Sequence, residues 1–242
     1  MTVRVAPVRF VLDSGRRVAV HRTTTQVTWF PAERPSRGPE ERVVVFCHSA
    51  PGAGVFDPDP SETRARNVRL ISVDRPGYGR STAIAAGTAP TIPSHADDLA
   101  AALEALDVAE AAAVGWSAGG RIALALAARH PGLVRAVAVV ATPAPHEDVP
   151  WIPDEHVAMI GELAGDPGGA TAALSDVFAD MAAMPPAAAV AMVAAGAADE
   201  IVTPAHGEWY TAQVPGSTLR VVAGAGHLVA LTAWADVLAA VA

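Results

Sequence analysis

Lysine is absent from all 242 residues, and the 17 basic residues are arginines without exception. That excludes Schiff-base chemistry on a lysine, pyridoxal enzymes and the phosphate-binding lysine of a P-loop. Cysteine occurs once, at Cys47, which excludes an internal disulfide and a cysteine-based zinc cluster. Charged residues make up only 17% of the chain, with 25 acids against 17 bases and a formal net charge of -8. Such a balance argues against wrapping nucleic acid or coating an anionic membrane, and a solvated surface accounts for it. Long apolar runs are missing too. The longest, Ala187 to Ala198, is too short and too weakly hydrophobic to span a bilayer. Met1 to Asp13 alternates apolar and polar residues without a signal-peptide core, so with one free cysteine a cytoplasmic location is expected. What remains is 51% hydrophobic with mean hydropathy +0.30, enough to bury a large core in one domain.

Periodicity organises that core. Arg9 to Leu12 and Arg17 to Thr25 read as strands joined by the turn Asp13-Ser14-Gly15, and Pro31 to Glu41 reads as a surface loop. Arg42 to Cys47 carries an unbroken apolar run after its arginine, of the kind found in strands buried on both faces. Further strands are expected at Val68 to Val73, Glu110 to Val114, Val134 to Ala141 and Thr218 to Val222. Between them lie helices at Ser94 to Leu106, with Asp97 and Asp98 near its start, and at Ala118 to Arg129, stopped by His130-Pro131-Gly132. A terminal helix is expected from Leu228 to Val241. Strand–helix alternation with short connections specifies an α/β fold with a mostly parallel sheet and helices on both faces. Between about 146 and 186 the alternation lapses. That stretch is expected to form a short helical lid inserted into a single domain, with Met159, Phe178 and Met181 either lining a substrate pocket or packing the lid.

Gly115-Trp116-Ser117-Ala118-Gly119-Gly120 follows a predicted strand and opens a predicted helix, the context of a nucleophile elbow. A serine on so tight a turn has a strained backbone, and the residues two before and two after it must lack bulk. A serine hydroxyl is a weak nucleophile and needs a base oriented by an acid. His227 lies in the late glycine-flanked segment Gly224-Ala225-Gly226-His227, where a loop can deliver a base over the sheet edge. Asp199 follows the apolar run Ala187 to Ala195 and would sit at a strand's carboxyl end. If that alanine-rich run were helical instead, Asp148 would become the candidate acid. Glu200 reads as a solvated neighbour. Trp116, beside the serine, either walls the pocket or packs into the core. His146-Glu147-Asp148 and Asp154-Glu155-His156 carry metal-type side chains, but their spacing matches no metal cage. Gly77 to Gly79 lacks the dinucleotide pattern, so neither a metal nor another cofactor is expected.

Taken together these segments resemble the α/β-hydrolase fold family. The order Ser117, Asp199, His227 is the family order of nucleophile, acid and base. Phe46-Cys47-His48-Ser49-Ala50-Pro51-Gly52 resembles the H-G-x-P-G loop, with Ser49 where the family usually has glycine. Val73-Asp74-Arg75-Pro76-Gly77-Tyr78-Gly79-Arg80-Ser81 resembles its D-x-P-G-x-G-x-S segment. The resemblance implies an oxyanion hole from the backbone N–H groups of Ala50 and Ala118, with His48 bracing the loop and Asp74 holding its own turn. It implies a serine hydrolase acting on a carboxylic ester or related acyl compound, a small-molecule substrate, and a monomer or homodimer. The same triad also serves thioesterases, lactonases, iminopeptidases and C–C hydrolases, and some members of the fold bind ligands without turnover. Aspartate replaces the serine in the dehalogenase and epoxide-hydrolase branches, and Ser117 argues against both.

Overall fold

The central strands form where the sequence concentrates apolar residues, valine and isoleucine foremost in β3 (Arg42–Cys47) and β4 (Val68–Asp74) and alanine in β5 (Ala111–Trp116). The computed structural model describes residues 8–11, 17–22, 42–50, 52–54, 56–84, 90–154, 157–158, 161–162, 199 and 202–241, the first two of these segments by backbone alone. It divides into two compact units, Met1–Thr142 with Val229–Ala242, and Pro143–Leu228.

The first unit contains a six-stranded sheet in the order β1-β2-β4-β3-β5-β6, where β1 is Val8–Val11, β2 Arg17–Arg22 and β6 Val134–Val140. Strands β3 to β6 pair in parallel, while β1 and β2 join antiparallel at the β4 edge. Side chains alternate across the sheet, so successive residues enter opposite cores. Val45, Cys47, Ile71 and Val73 face helices α2 (Ile92–Glu104) and α3 (Ala118–Arg129), packing against Leu99, Leu103, Ile122 and Leu126. Val44, Phe46, Leu70 and Val114 form the other cluster with Ala230 of α5 (Val229–Thr232) and Trp234 and Leu238 of α6 (Trp234–Val241). The expected α/β architecture, a mostly parallel sheet with helices on both faces, is what the chain adopts. Among the described residues no helix is long and apolar enough to cross a membrane.

Several boundaries differ from expectation for local reasons. Helix α2 begins two residues earlier than Ser94, because Thr91 caps it reciprocally with Ser94 and Pro93 fits the first turn. Asp97 and Asp98 therefore lie beyond that turn. Asp97 instead pairs with Arg129 and His130 at the far end of α3, and Asp98 is buried. Two short helices carry little sequence signal: α1 (Pro60–Ala65), started by Asp59 accepting from the Ser61 and Glu62 N–H groups, and α4 (Pro204–Gln213). The terminal helix is interrupted at Ala233, between α5 and α6.

The second unit contains α4, whose buried His206 accepts from the Ala144 N–H (3.1 Å) and whose Tyr210 hydroxyl donates to the Pro143 carbonyl (3.0 Å). Residues 218–222 were expected as a strand but carry no strand pairing among the described residues. Val221 is 60% exposed and Leu219 lies over Gly207, so the segment offers no apolar face to a sheet. The run Ala187 to Ala195 and most of the expected lid, including Met159, Phe178 and Met181, lie outside the described residues.

Candidate active site

Strand β5 leads straight into α3 through Ser117, which is held at φ 54° and ψ −128°. This left-handed region is costly for a residue with a side chain, on the order of 1–3 kcal/mol, and persists only where the surroundings enforce it. Here the enforcement is visible. The Ser117 N–H donates to Val140 O (2.9 Å) and the Gly120 N–H donates to Ser117 O (3.0 Å). A Cβ on Gly115 would overlap the backbone of Gly119 and Gly120, and one on Gly119 would overlap the Cys47 carbonyl. A Cβ on Gly120 would strike the Thr142 side chain, a constraint the sequence reading did not assign. The Ser117 hydroxyl makes no capping bond to its own helix. Of the first-turn N–H groups, that of Gly120 is taken by Ser117 O, while that of Ala118 has no acceptor within its own helix.

The loop after β3 is braced from below. His48 is 2% exposed and packs edge-on against Tyr78. Its Nδ1–H donates to the Ser49 carbonyl (2.8 Å), and its Nε2 receives a long contact from the Arg75 N–H (3.5 Å). Those partners fix a neutral imidazole with the proton on Nδ1. Burial, aided by the nearby Arg75 cation, pushes its pKa down to about 4, so this histidine is structural at neutral pH. The Arg75 guanidinium donates to the carbonyls of His48 (2.5 Å) and Ser49 (3.1 Å) while lying over the Tyr78 ring. Gly52 is required where the loop folds back, since a Cβ there would come 2.7 Å from Ser49 O. The buried Asp74 carboxylate accepts from the N–H groups of Gly54 (2.5 Å) and Arg80 (3.0 Å), tying this loop to the turn after β4. Ala50, at the loop's crest, is exposed.

Two further side chains of this unit lie against its cores. Trp116 is half-buried and stacks on Phe56 with centroids 5.5 Å apart, joining the aromatic cluster of Phe46 and Trp234. Cys47 is buried and its thiol is pushed up to about 12 by desolvation, so it is no nucleophile at neutral pH.

In the second unit, His227 and Asp199 are joined. His227 Nδ1 lies 2.8 Å from Asp199 Oδ2, and Asp199 Oδ1 accepts from the Val202 N–H at 2.8 Å. With Nδ1–H donating to the carboxylate, the basic lone pair of the neutral ring is on Nε2. Asp148, the other acid considered, is exposed in a turn. His146 Nδ1 accepts from the N–H groups of Trp151 and Ile152, which gives it a structural task. Among the described residues no cluster of side chains could hold a metal ion. In the sequence Arg75 stands only as one residue of the Val73–Ser81 segment, and the fork that binds two adjacent carbonyls has no signal in composition or periodicity.

Sequence comparison with curated proteins finds no match. Solved structures share the fold at low identity. A hydrolase from Pseudomonas aeruginosa PA01 is 18% identical and superposes with a TM-score of 0.66 over 97% of this chain and 96% of that one. Est816, described as an N-acyl homoserine lactone degrading enzyme, is 23% identical with a TM-score of 0.58 over 95% of this chain and 98% of that one. The family model for the α/β hydrolase fold matches residues 42–188, well over half of the sequence. With that match, and with the parallel sheet and the strand–serine–helix turn, the chain belongs to the α/β-hydrolase fold family.

Proposed function

We propose that the protein is a serine hydrolase that cleaves a carboxylic ester or related acyl bond through an acyl-enzyme on Ser117. The observation that carries this reading is the Ser117 backbone, held at φ 54° among glycines whose positions leave no room for a Cβ. The 2.8 Å pairing of Asp199 with His227 supports it, since that bond is what a general base needs for orientation. In this mechanism His227 Nε2 takes the Ser117 proton as Oγ attacks the carbonyl carbon. The Ala50 and Ala118 N–H groups hold the oxyanion, each donor contributing about 3 kcal/mol. His227 then protonates the departing alkoxide. Water attacks the acyl-enzyme and gives a proton to His227, which passes it to Ser117 Oγ as the carboxylic acid leaves. Lactones are cyclic esters and fall under the same chemistry, so they belong in the substrate screen with linear esters, thioesters and aminoacyl amides.

Treatment with a fluorophosphonate, read by intact mass, tests the reading. A single adduct on the wild type, absent from Ser117→Ala, is the expected result. His227→Ala should slow labelling by about 10⁴-fold or more, up to the ~10⁶-fold that loss of a triad histidine costs. A folded wild type that does not label would overturn the hydrolase reading in favour of a ligand-binding protein on the same fold.

A further inference from the structure

We propose that Arg75 is a positioning residue for catalysis: its guanidinium holds the His48 and Ser49 carbonyls to one side of the loop, which fixes the Ala50 N–H facing the other way as an oxyanion donor. The role rests on the acyl-hydrolysis reading above, but the geometry does not. The peptide unit is planar and trans, so the carbonyl of one residue and the N–H of the next point in opposite directions. Ser49 O is occupied twice, by Arg75 Nη2 at 3.1 Å and His48 Nδ1 at 2.8 Å. With that oxygen anchored inward, the Ala50 N–H is directed outward by covalent geometry alone. The neighbouring His48 O, at 2.5 Å from Arg75 Nη1, anchors the preceding peptide on the same side. Two successive carbonyls converging on one fork is a task for arginine. Its planar guanidinium presents parallel donors, whereas an ammonium acts as a point.

Arg75 is itself immobilised. It is 7% exposed, stands next to the buried Asp74 at the end of β4, and its guanidinium carbon lies 4.6 Å from the centre of the Tyr78 ring. The loop has reason to need such a clamp. Ser49 stands where a glycine would be usual in a loop of this kind, and its side chain offers the peptide competing local hydrogen bonds. Losing the clamp frees the Ser49–Ala50 peptide to rotate, which would turn a carbonyl towards the position an oxyanion needs. An N–H donor lost from such a site lowers kcat by about 10²–10³-fold.

Two measurements on the full chain test this. In a crystal structure of Arg75→Met, the Ser49–Ala50 peptide is expected to be turned or to occupy more than one orientation. In steady-state hydrolysis of a 4-nitrophenyl ester, Arg75→Met should lose about 10²-fold or more in kcat with KM changed less than about threefold, because the donor acts on the transition state. Arg75→Lys should fall between wild type and Arg75→Met, and millimolar guanidinium should restore part of kcat to Arg75→Ala. Partial rescue separates positioning from bulk packing, and thermal melts confirm that each variant folds. An unturned peptide in Arg75→Met, or kcat within threefold of wild type, would overturn the proposal. If Ser117 of the wild type fails to label, the hydrolase reading falls, and the crystal structure alone then decides whether Arg75 sets this peptide.

Discussion

Ser117 illustrates how function and stability oppose each other at a single residue. Its backbone suits glycine, yet a glycine there has no hydroxyl. Both Ser117→Ala and Ser117→Gly should abolish labelling, but only the glycine relieves the conformational strain at φ 54°. Glycine gives back part of that gain through its larger entropy loss on folding. Ser117→Gly is therefore expected to be more stable than Ser117→Ala by about 1 kcal/mol, read from urea midpoints. Equal stabilities would show that the strain is no larger than the entropy glycine loses on folding. His48 makes a second residue-scale prediction, with a definite sign. Its pKa is about 4 when folded and 6.5 as a free side chain. Between these values the unfolded chain binds a proton that the folded chain refuses. Stability from this group is thus complete above about pH 6.5, falls as pH drops towards 4, and levels off below that. The lost contribution is about 3 kcal/mol. Urea titrations of wild type and His48→Gln across this window should show a shallower pH slope in the variant, and parallel slopes would refute the assignment.

Elements were legible in proportion to how far local pattern decided them. Arg42 to Cys47 has the short, valine-rich apolar run of a strand buried on both faces, and Ala118 to Arg129 had its stop signal in His130-Pro131-Gly132. Both ends of these elements match the sequence reading. The turn at Ser117 was legible because its glycines are demanded by close backbone approach, and the order of serine, acid and histidine was readable as a resemblance. Hidden from the sequence were contacts between segments far apart in the chain: Arg75 reaching the carbonyls of His48 and Ser49, Asp74 reaching Gly54, and Thr142 closing on Gly120. Helix α1 was missed for a related reason. Its six residues are mostly polar, and it is secured by Thr63, which is 3% exposed. The Thr63 hydroxyl accepts from Trp234 Nε1–H (2.8 Å) and lies 2.8 Å from Asp57 Oδ1, clasping α1 to α6. Thr63→Val keeps the volume but leaves the buried indole N–H without its acceptor, a cost of about 2 kcal/mol. Thr63→Ser retains the hydroxyl and should lose less. If chemical denaturation finds Val the milder substitution, the clasp contributes nothing.

Across the whole molecule, the placement of the serine turn follows the gradient of burial in the sheet. Strands β3, β4 and β5 are interior to the ladder and bury almost all of their side chains, while four of the seven residues of β6 are half-buried and one is exposed. The Ser117 turn extends β5, and the loop that carries Ala50 extends β3, so both proposed oxyanion donors stand on the most deeply bonded part of the chain. A site built this way needs little rearrangement to hold a developing charge, because its donors are already fixed by the scaffold. Hydrogen exchange gives that rigidity a measurable form, since interior strands open only with the global unfolding of their unit whereas exposed ends open locally. The amides of Val45, Ile71 and Ala113 should therefore exchange with the free energy of unfolding obtained from urea. The Ser117 and Gly120 amides, bonded to the carbonyls of Val140 and Ser117, should exchange with them, and the exposed first turn of α2 around Ser94 should exchange much sooner. Fast exchange at Ser117 alongside slow exchange at Ala113 would mean that the turn opens on its own. The serine would then have to be ordered by substrate, and the strained conformation could not be counted as preorganisation.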